Sequence, residues 1–152
     1  MSNQFLDLIN KRRTIYAVGK NVEQSPEYLT ELIQHAIKQS PSSFNSQSSR
    51  AVILFNDEHE KFWGFVKEKL KSYAKDEDAA AKTSAKMDSF AAGLGTVLFF
   101  EDMDVIKGLQ EQFPSYADNF PVWAEHSTAI AQFATWTALH TDGLGASLQH
   151  YN

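Results

Sequence analysis

The chain has 152 residues, the size of one ordinary domain, and its hydrophobic fraction of 43% is typical of a folded protein rather than a disordered one. The net charge of -5 disfavours a nucleic-acid-binding protein, and the absence of Cys excludes disulfides, thiolate chemistry and Cys-ligated metals. The sequence contains neither an apolar run of about 18 residues, which would indicate a membrane span, nor a secretory signal. We therefore expect a soluble, cytoplasmic protein.

Two helices are predicted before the first strand. Residues 3–13 place apolar side chains on one helical face, with Ser2 or Asn3 as the N-cap, and this helix ends in basic residues. Ser25 is a favourable N-cap for the second helix, whose apolar residues recur with helical spacing until Pro41 ends it. The loop that follows is polar and rich in Ser and Asn.

The remainder of the chain alternates apolar strands with helices. Short apolar runs typical of buried strands occupy residues 51–55, 96–100 and 146–151. Helical spacing of apolar residues predicts helices over residues 59–73, 87–92, 104–113 and 123–140. The charged, alanine-rich residues 74–82 are interpreted as a surface excursion between the first two of these helices.

The last predicted helix, residues 123–140, is apolar on nearly every face. Such a helix is buried in a core or against a partner chain, and Gly143 is placed to end it. Strands separated by helices predict a sheet with helical cover. Because three short strands make a thin sheet for so many apolar helices, we expect either further strands or completion of the sheet by another subunit.

Two adjacent arginines, Arg12 and Arg13, precede Thr14 at the end of the first predicted helix. In an acidic protein these side chains suggest a local anion site, because guanidinium and hydroxyl groups hold phosphate by charge-assisted hydrogen bonds. The alternative is a solvated helix end, whose cations interact favourably with the helix dipole. Taken alone, these three residues favour the solvated helix end.

A second group of polar side chains lies in the loop from Pro41 to Gln47, which contains Ser42, Ser43 and Asn45. These side chains offer hydrogen-bond donors and acceptors on a short stretch, as the polar edge of a planar ligand requires. The alternative is an ordinary polar loop between a helix and a strand.

Other polar segments do not match a catalytic or metal-binding pattern. Glu101, Asp102 and Asp104 lack the spacing of a calcium loop and are interpreted as acids at a strand end that cap the next helix. The Glu-His-Ser sequence at residues 125–127 is consecutive, and consecutive residues of a helix do not face one another. We therefore predict no catalytic side chain and no metal site.

The predicted features follow one another in a specific order. An Arg-Arg-Thr helix end, a Ser-capped helix and the motif Pro-Ser-Ser-x-Asn-Ser-Gln before a strand occur at residues 12–14, 25–37 and 41–47. This order is similar to that of the FMN-dependent nitroreductase family. The segments at residues 95–102, 116–123 and 143–152 resemble a short bacterial and fungal branch of that family, often labelled fatty-acid repression-like.

The resemblance implies a flavin site built from several parts of the chain. Residues 12–14 would contact the FMN phosphate and ribityl chain. Residues 41–43 would lie against the flavin, contributed by the other subunit of a homodimer, and Asn45 and Gln47 would reach its polar atoms.

The resemblance also assigns roles to three residues nearer the C-terminus, and the chain differs from many family members at one position of the first motif. Gln149 and His150 occupy the place where backbone groups of the family approach the flavin N5 and O4 edge, and Trp123 would roof the substrate pocket. Many members carry Lys or Arg where this chain has Tyr16. The cation that would favour a reduced, anionic flavin is therefore absent or is supplied by another residue.

The resemblance implies an α+β fold of the nitroreductase-like sandwich type, a mixed sheet covered by helices on both faces, in a domain-exchanged homodimer. The implied activity is reduction of nitroaromatics or quinones by NAD(P)H, with FMN carrying the electrons in a ping-pong reaction. Family members continue past the third strand, so residues 1–152 would form a single domain without the C-terminal strand and arm. The alternatives are a flavin-binding regulatory or stress-response protein with little turnover and a truncated, flavin-free scaffold.

Overall fold

The computed structural model describes residues 3–151, which form six α-helices and two β-strands. The helices are α1 (Gln4–Lys11), α2 (Pro26–Gln39), α3 (Asn56–Lys71), α4 (Glu77–Ala91), α5 (Met103–Gln112) and α6 (Phe120–Thr141). The strands are β1 (Ser49–Phe55) and β2 (Gly95–Glu101). Two 3-10 helices, Ser43–Asn45 and Pro114–Asn119, precede β1 and α6.

Local capping groups define the helix ends that the sequence predicts. The Asn3 side chain accepts hydrogen bonds of 3.0 and 3.3 Å from the first backbone N–H groups of α1, while Ser2, the other predicted cap, lies outside the described residues. Ser25 Oγ accepts from the Tyr28 N–H at 3.2 Å. Gly143 has a φ of 84° directly after α6, a conformation that glycine adopts without steric cost. The predictions for Asn3, Ser25 and Gly143 are confirmed.

The strands β1 and β2 form an antiparallel pair in which Ser49 lies opposite Glu101. One face of β1 lines a cavity shared with α2 and α6. The opposite face carries Val52 and Phe100, which are 47% and 50% exposed. The α+β fold class is confirmed, with a sheet of two strands in residues 3–151.

The prediction of a third strand over residues 146–151 is wrong. This segment is described throughout, and it makes one isolated parallel bridge, between Thr14 and Ala146. The chain that would continue the pairing turns away, because the Val18 N–H donates to the Tyr16 carbonyl at 3.0 Å. A hydrogen bond across two residues closes a tight γ-turn, so the ladder cannot extend beyond the bridge.

The alanine-rich segment lies at the surface, as predicted, but from Glu77 it forms the first half of α4, so the prediction that this helix begins at residue 87 is wrong. The Asp76 side chain caps the helix by accepting from the Ala79 N–H at 2.7 Å, and Ala has the highest intrinsic helix propensity. The buried apolar residues of α4, Met87 and Phe90, lie in its second half. Apolar spacing therefore revealed only that half.

Two apolar clusters join neighbouring helices. Trp63 and Met87 belong to the cluster between α3 and α4, and Ile106 and Phe120 belong to the cluster between α5 and α6. Beyond Phe120 at its start, the buried positions of α6 are small or hydroxyl-bearing ones, such as Ala131, which is 1% exposed. These small side chains allow α6 to lie close to its neighbours.

The apolar helix α6 buries only one side within the described chain. Ala124 and Thr135 are buried, whereas Ile130 is 43% exposed and Val122 is also exposed. The core therefore accounts for one face of this helix and leaves apolar side chains on another. No helix in residues 3–151 has the combination of length and apolar character that crossing a membrane requires.

His59 is a fully buried polar side chain on α3. Its Nδ1 lies 2.8 Å from Thr96 Oγ1, which also accepts a hydrogen bond from Trp63 Nε1 at 2.9 Å. Burial lowers the pKa of His59 below its ordinary value, with the backbone of Ala91 and Phe90 acting in the opposite direction. The folded protein therefore favours the neutral imidazole.

Candidate functional site

The Arg segment, residues 12–14, follows directly from α1. Arg12 is the C-cap of this helix and donates its backbone N–H to the Leu8 carbonyl at 3.0 Å. Its guanidinium carbon lies 4.0 Å from the ring centroid of Trp136 on α6, and its Nε is buried without a hydrogen-bond partner in the described part of the chain. Arg12 is thus packed against the domain, unlike the solvated helix end that the sequence alone favoured.

Neither arginine of this segment pairs with a carboxylate. The seven ion pairs in residues 3–151 involve Lys side chains and Arg50, and none includes Arg12 or Arg13. Arg13 and Thr14 are exposed, and Arg13 Nη1 donates to the Arg12 carbonyl at 3.0 Å. Two guanidinium groups are therefore available to an anion from outside the described chain.

The C-terminal segment, residues 145–151, lies beside the Arg segment. The Ile15 N–H donates to the Ala146 carbonyl at 3.0 Å, and Gly145 packs so closely on Ile15 that a Cβ there would lie 2.9 Å from Ile15 Cγ2. Six residues after Gly145, the Tyr151 ring meets the Trp63 ring at a centroid distance of 5.7 Å. The chain is therefore fixed at both ends of this segment.

Gln149 and His150 lie between those two anchors. Gln149 is half-buried, and its Nε2 donates to Ser147 Oγ at 3.1 Å, while His150 is exposed. The structure thus brings the predicted residues 149 and 150 into the segment that pairs with the Arg segment. Their predicted approach to a flavin stays a prediction.

The polar loop, residues 41–47, is closed by its own hydrogen bonds and anchored on α6. Ser42 Oγ accepts from the Gln47 N–H at 2.9 Å. The Ser43 N–H donates to Ser127 Oγ at 3.3 Å, and Ser127 in turn donates to the Trp123 carbonyl at 2.8 Å. The conformation of the loop is therefore fixed by hydrogen bonds within the loop and to α6.

Three non-glycine residues of the loop have left-handed backbone conformations. The φ angles of Phe44, Asn45 and Gln47 are 54°, 50° and 48°. Each such residue costs on the order of 1 kcal/mol, and residues of this kind persist where the surrounding structure fixes them, often at ligand sites. Asn adopts this conformation more readily than most residues, whereas Phe needs an external anchor.

The anchor for Phe44 is an aromatic cluster that the sequence analysis missed. The Phe44 ring lies parallel to Trp123 at a centroid distance of 5.8 Å and meets Phe113 at 5.0 Å and Phe120 at 5.2 Å. Tyr116 completes the cluster at 5.9 Å. Trp123, the predicted roof of the substrate pocket, is therefore in contact with the polar loop, and its role toward a substrate stays a prediction.

A cavity of about 630 Å³ opens beside the polar loop, and its volume lies in the range of small-molecule sites. The loop contributes Pro41, Ser42 and Gln47, and the rest of the lining comes from α2, β1 and α6. Arg50, at the start of β1, also lines it. Its Nη1 donates to the Gln47 carbonyl at 2.8 Å and its Nη2 pairs with Asp102 at 2.9 Å, so it holds the end of the loop.

The Arg segment and the polar loop occupy different levels of α6. The loop is anchored at Ser127, and Arg12 lies on Trp136, nine residues further along the helix. At a rise of 1.5 Å per residue, this offset is about 13 Å along the axis. Within residues 3–151, no hydrogen bond joins the two groups. One chain therefore presents two separate polar surfaces.

The chain matches known proteins over nearly its whole length. The Nitroreductase family matches residues 9–152. HBN1 of Saccharomyces cerevisiae is 39% identical over 150 residues, which cover 97% of this chain and 74% of HBN1. The structure of nitroreductase CinD from Lactococcus lactis in complex with nicotinic acid is 50% identical, covers 97% of this chain and 74% of CinD, and has a TM-score of 0.88. CinD structures with chloramphenicol and 4-nitrophenol match with TM-scores of 0.85 and 0.84.

A more distant structure shares the fold alone. A protein from Desulfovibrio desulfuricans, in complex with FMN, is 19% identical, has a TM-score of 0.65, and covers 95% of this chain and 67% of its own. The family match and the two closer relatives together span the Arg segment, the polar loop and the C-terminal segment. The chain belongs to the nitroreductase family, and its enzyme class is that of the oxidoreductases.

Proposed function

We propose that this protein is an FMN-dependent oxidoreductase that reduces nitroaromatics or quinones with NAD(P)H. The observation that carries the proposal is the pairing of the Arg segment with the C-terminal segment through Thr14 and Ala146. It brings together two regions that are far apart in sequence, and both are expected to contact one cofactor. The relative CinD supports the substrate class, since its structures contain two nitroaromatic compounds and nicotinic acid.

The residues of this chain fit FMN. Arg12 and Arg13 have no carboxylate partner among the described residues, and such arginines bind phosphate through paired N–H groups. The buried Nε of Arg12 has no acceptor in residues 3–151, as expected of a donor that a bound anion would satisfy. The polar loop adds a cavity of about 630 Å³ whose lining combines hydroxyl, amide and apolar groups.

In the proposed reaction the protein binds and orients, while FMN when bound supplies the hydride chemistry that no side chain provides. Arg12, Arg13 and Thr14 would hold the phosphate end. The polar loop would lie along the ring system, and the segment with Gln149 and His150 would offer backbone groups to its polar edge. The nicotinamide donor and the electron acceptor would use one open face in turn, which is ping-pong order.

The two levels of α6 support a site completed by a second copy of the chain. Within one chain the Arg segment at Trp136 and the loop at Ser127 are offset by about 13 Å along the helix axis, and no hydrogen bond of the described residues joins them. The exposed apolar residues Ile130 and Val122 on α6 give this helix a surface for a partner. In the proposed homodimer, each site would combine one subunit's Arg segment with the other's polar loop.

The experiment that tests the cofactor is the visible absorption spectrum of the purified protein, before and after incubation with FMN and desalting. We expect a retained flavin band, which the double variant Arg12→Ala/Arg13→Ala loses. Lys11→Ala is the matched control, because it removes a neighbouring cation outside the Arg segment. A wild-type protein that stays colourless and retains no added FMN would contradict the cofactor proposal.

Activity and subunit composition need separate measurements. Oxidation of NADH and of NADPH is followed with 4-nitrophenol and with a quinone as electron acceptors. Turnover is expected for at least one combination of electron donor and acceptor. For the dimer, Arg12→Ala/Arg13→Ala is co-expressed with a loop variant, Asn45→Ala/Gln47→Ala, and the mixed dimer is purified through two different affinity tags. It should bind FMN at one of its two sites, because that site combines the intact Arg segment of one subunit with the intact loop of the other. Bound FMN without any turnover would instead favour a flavin-binding regulatory protein.

A further inference from the structure

We propose that Trp136 is a positioning residue for phosphate binding, because it holds the Arg12 guanidinium in the orientation that an anion requires. This inference rests on the proposed FMN site. Trp136 lies in the last third of the apolar helix α6, where its spacing indicates a core residue rather than a functional one. Nothing in the Arg-Arg-Thr motif points to a residue so far along the chain.

The Arg12 guanidinium lies over the face of the Trp136 indole ring. The guanidinium carbon of Arg12 lies 4.0 Å from the Trp136 centroid and 5.7 Å from the Phe133 centroid. Attraction between a cation and an aromatic face operates within about 6 Å and is strongest for Trp. Trp136 therefore makes the closer contact and the stronger one, and Phe133 borders it one turn earlier on α6.

A contact with an aromatic face leaves the hydrogen-bonding groups of an arginine without a competing acceptor. The N–H groups of a guanidinium point outward in its plane, so an aromatic ring against its face accepts no hydrogen bond from them, and phosphate binds in that plane through two parallel hydrogen bonds. Since none of the carboxylates in the described chain pairs with Arg12, the aromatic contact is what holds its guanidinium. A flexible, solvated Arg would lose more conformational freedom on binding.

The C-terminal pairing supports the same orientation. Arg12 ends α1 with an extended backbone, φ -63° and ψ 121°, and two residues later Thr14 is held by its bridge to Ala146. The side chain is thus fixed at its base by the backbone and at its tip by Trp136. Arg13 has no aromatic ring near its guanidinium in residues 3–151 and is exposed. The two arginines therefore differ, and Arg12 is the one held in place before binding.

The test compares dissociation constants for FMN and riboflavin, which differ by the phosphate group. The Trp136→Met variant fills a similar volume without an aromatic face, and Trp136→Phe keeps a smaller face. We expect Trp136→Met to weaken FMN binding roughly fivefold to thirtyfold, which is the range for a partly desolvated cation–π contact. Riboflavin binding should stay unchanged, and Trp136→Phe should recover most of the FMN affinity.

A double-variant cycle shows whether Trp136 acts through Arg12. In an Arg12→Ala background, Trp136→Met should leave the ratio of FMN to riboflavin affinity where Arg12→Ala alone puts it. An equal loss of both affinities in Trp136→Met, or a further loss of FMN affinity in the Arg12→Ala background, would overturn the positioning role while leaving the FMN proposal intact. If Trp136→Met does not fold, Trp136→Leu takes its place in both backgrounds, with the same expected loss of the FMN-to-riboflavin ratio in the presence of Arg12 and no loss in the Arg12→Ala background; an unchanged ratio in the presence of Arg12 would overturn the positioning role. Wild-type protein that binds neither compound would overturn both proposals.

Discussion

Gly145 should be intolerant of a side chain, because the backbone of the C-terminal segment passes directly over Ile15. A Cβ on Gly145 would lie 2.9 Å from Ile15 Cγ2, 3.0 Å from Ile15 Cβ and 3.1 Å from Ile15 Cγ1. Rotation of the Ile15 side chain moves the two γ carbons but not its Cβ. The Gly145→Ala variant can therefore be accommodated only if the backbone shifts and strains the bridge between Thr14 and Ala146.

The expected loss of stability follows from two opposing contributions. Overpacking of this kind costs about 1–3 kcal/mol, and replacing Gly by Ala recovers about 0.4–1 kcal/mol through the unfolded chain. The net change in the free energy of unfolding is a loss of about 1–2 kcal/mol. For a domain of this size that loss lowers Tm by roughly 2–8 °C.

The assay is urea and thermal unfolding of four proteins: wild type, Gly145→Ala, Ile15→Ala and the double variant. Because Ile15→Ala removes two of the three close contacts, Gly145→Ala should cost less in that background, by about 1 kcal/mol. Gly143→Ala is the matched control. Gly143 has a φ of 84° and no atom within 4 Å of an added Cβ, so its cost is backbone strain and should not depend on Ile15. A Gly145→Ala protein as stable as the wild type would refute the steric argument.

Two further changes test the packing around the site. Burial lowers the pKa of His59 from 6.5, so the imidazole of the unfolded chain binds a proton at a higher pH than that of the folded chain. The free energy of unfolding should therefore fall as the pH drops below 6.5, by at most about 1.4 kcal/mol per pH unit. Urea midpoints at several pH values should show this slope in wild type and a smaller one in His59→Gln; equal slopes would contradict it. Phe44→Ala should cost about 1–2 kcal/mol through its aromatic contacts and expose the polar loop to proteolysis, and an unchanged cleavage rate within residues 41–47 would argue against Phe44 as its anchor.

The sequence predicted those features that depend on residues close together in the chain. The caps at Asn3 and Ser25 need only the first turn of their own helices, and the glycine at 143 needs only the last turn of α6. The third strand failed for the opposite reason. Whether residues 146–151 form a ladder depends on a distant partner, and that partner turns at Val18.

For the candidate site, too, the sequence predicted the local features and not those that depend on distant parts of the chain. Residue types identified the Arg segment and the polar loop, because phosphate binding needs guanidinium groups and a planar ligand needs short polar side chains. The residues that hold the Arg segment and the polar loop in place were not identified from the sequence. They are Trp136, Ser127 and Phe44, whose residue types and positions are those of ordinary core and loop residues. Only the folded chain shows that Trp136 contacts Arg12 and that Ser127 anchors the polar loop. It also shows that Phe44 joins the loop to the aromatic cluster.

The apolar character of α6 has a physical explanation in this arrangement. The helix must pack against α2 and α5 on one side and support two polar surfaces at different levels, through Ser127 and Trp136. Supporting residues need rigid, well-defined contacts rather than charge, so a helix that performs this task consists of small, aromatic and hydroxyl-bearing side chains. Its sequence then resembles that of a core helix even where its side chains anchor the Arg segment and the polar loop.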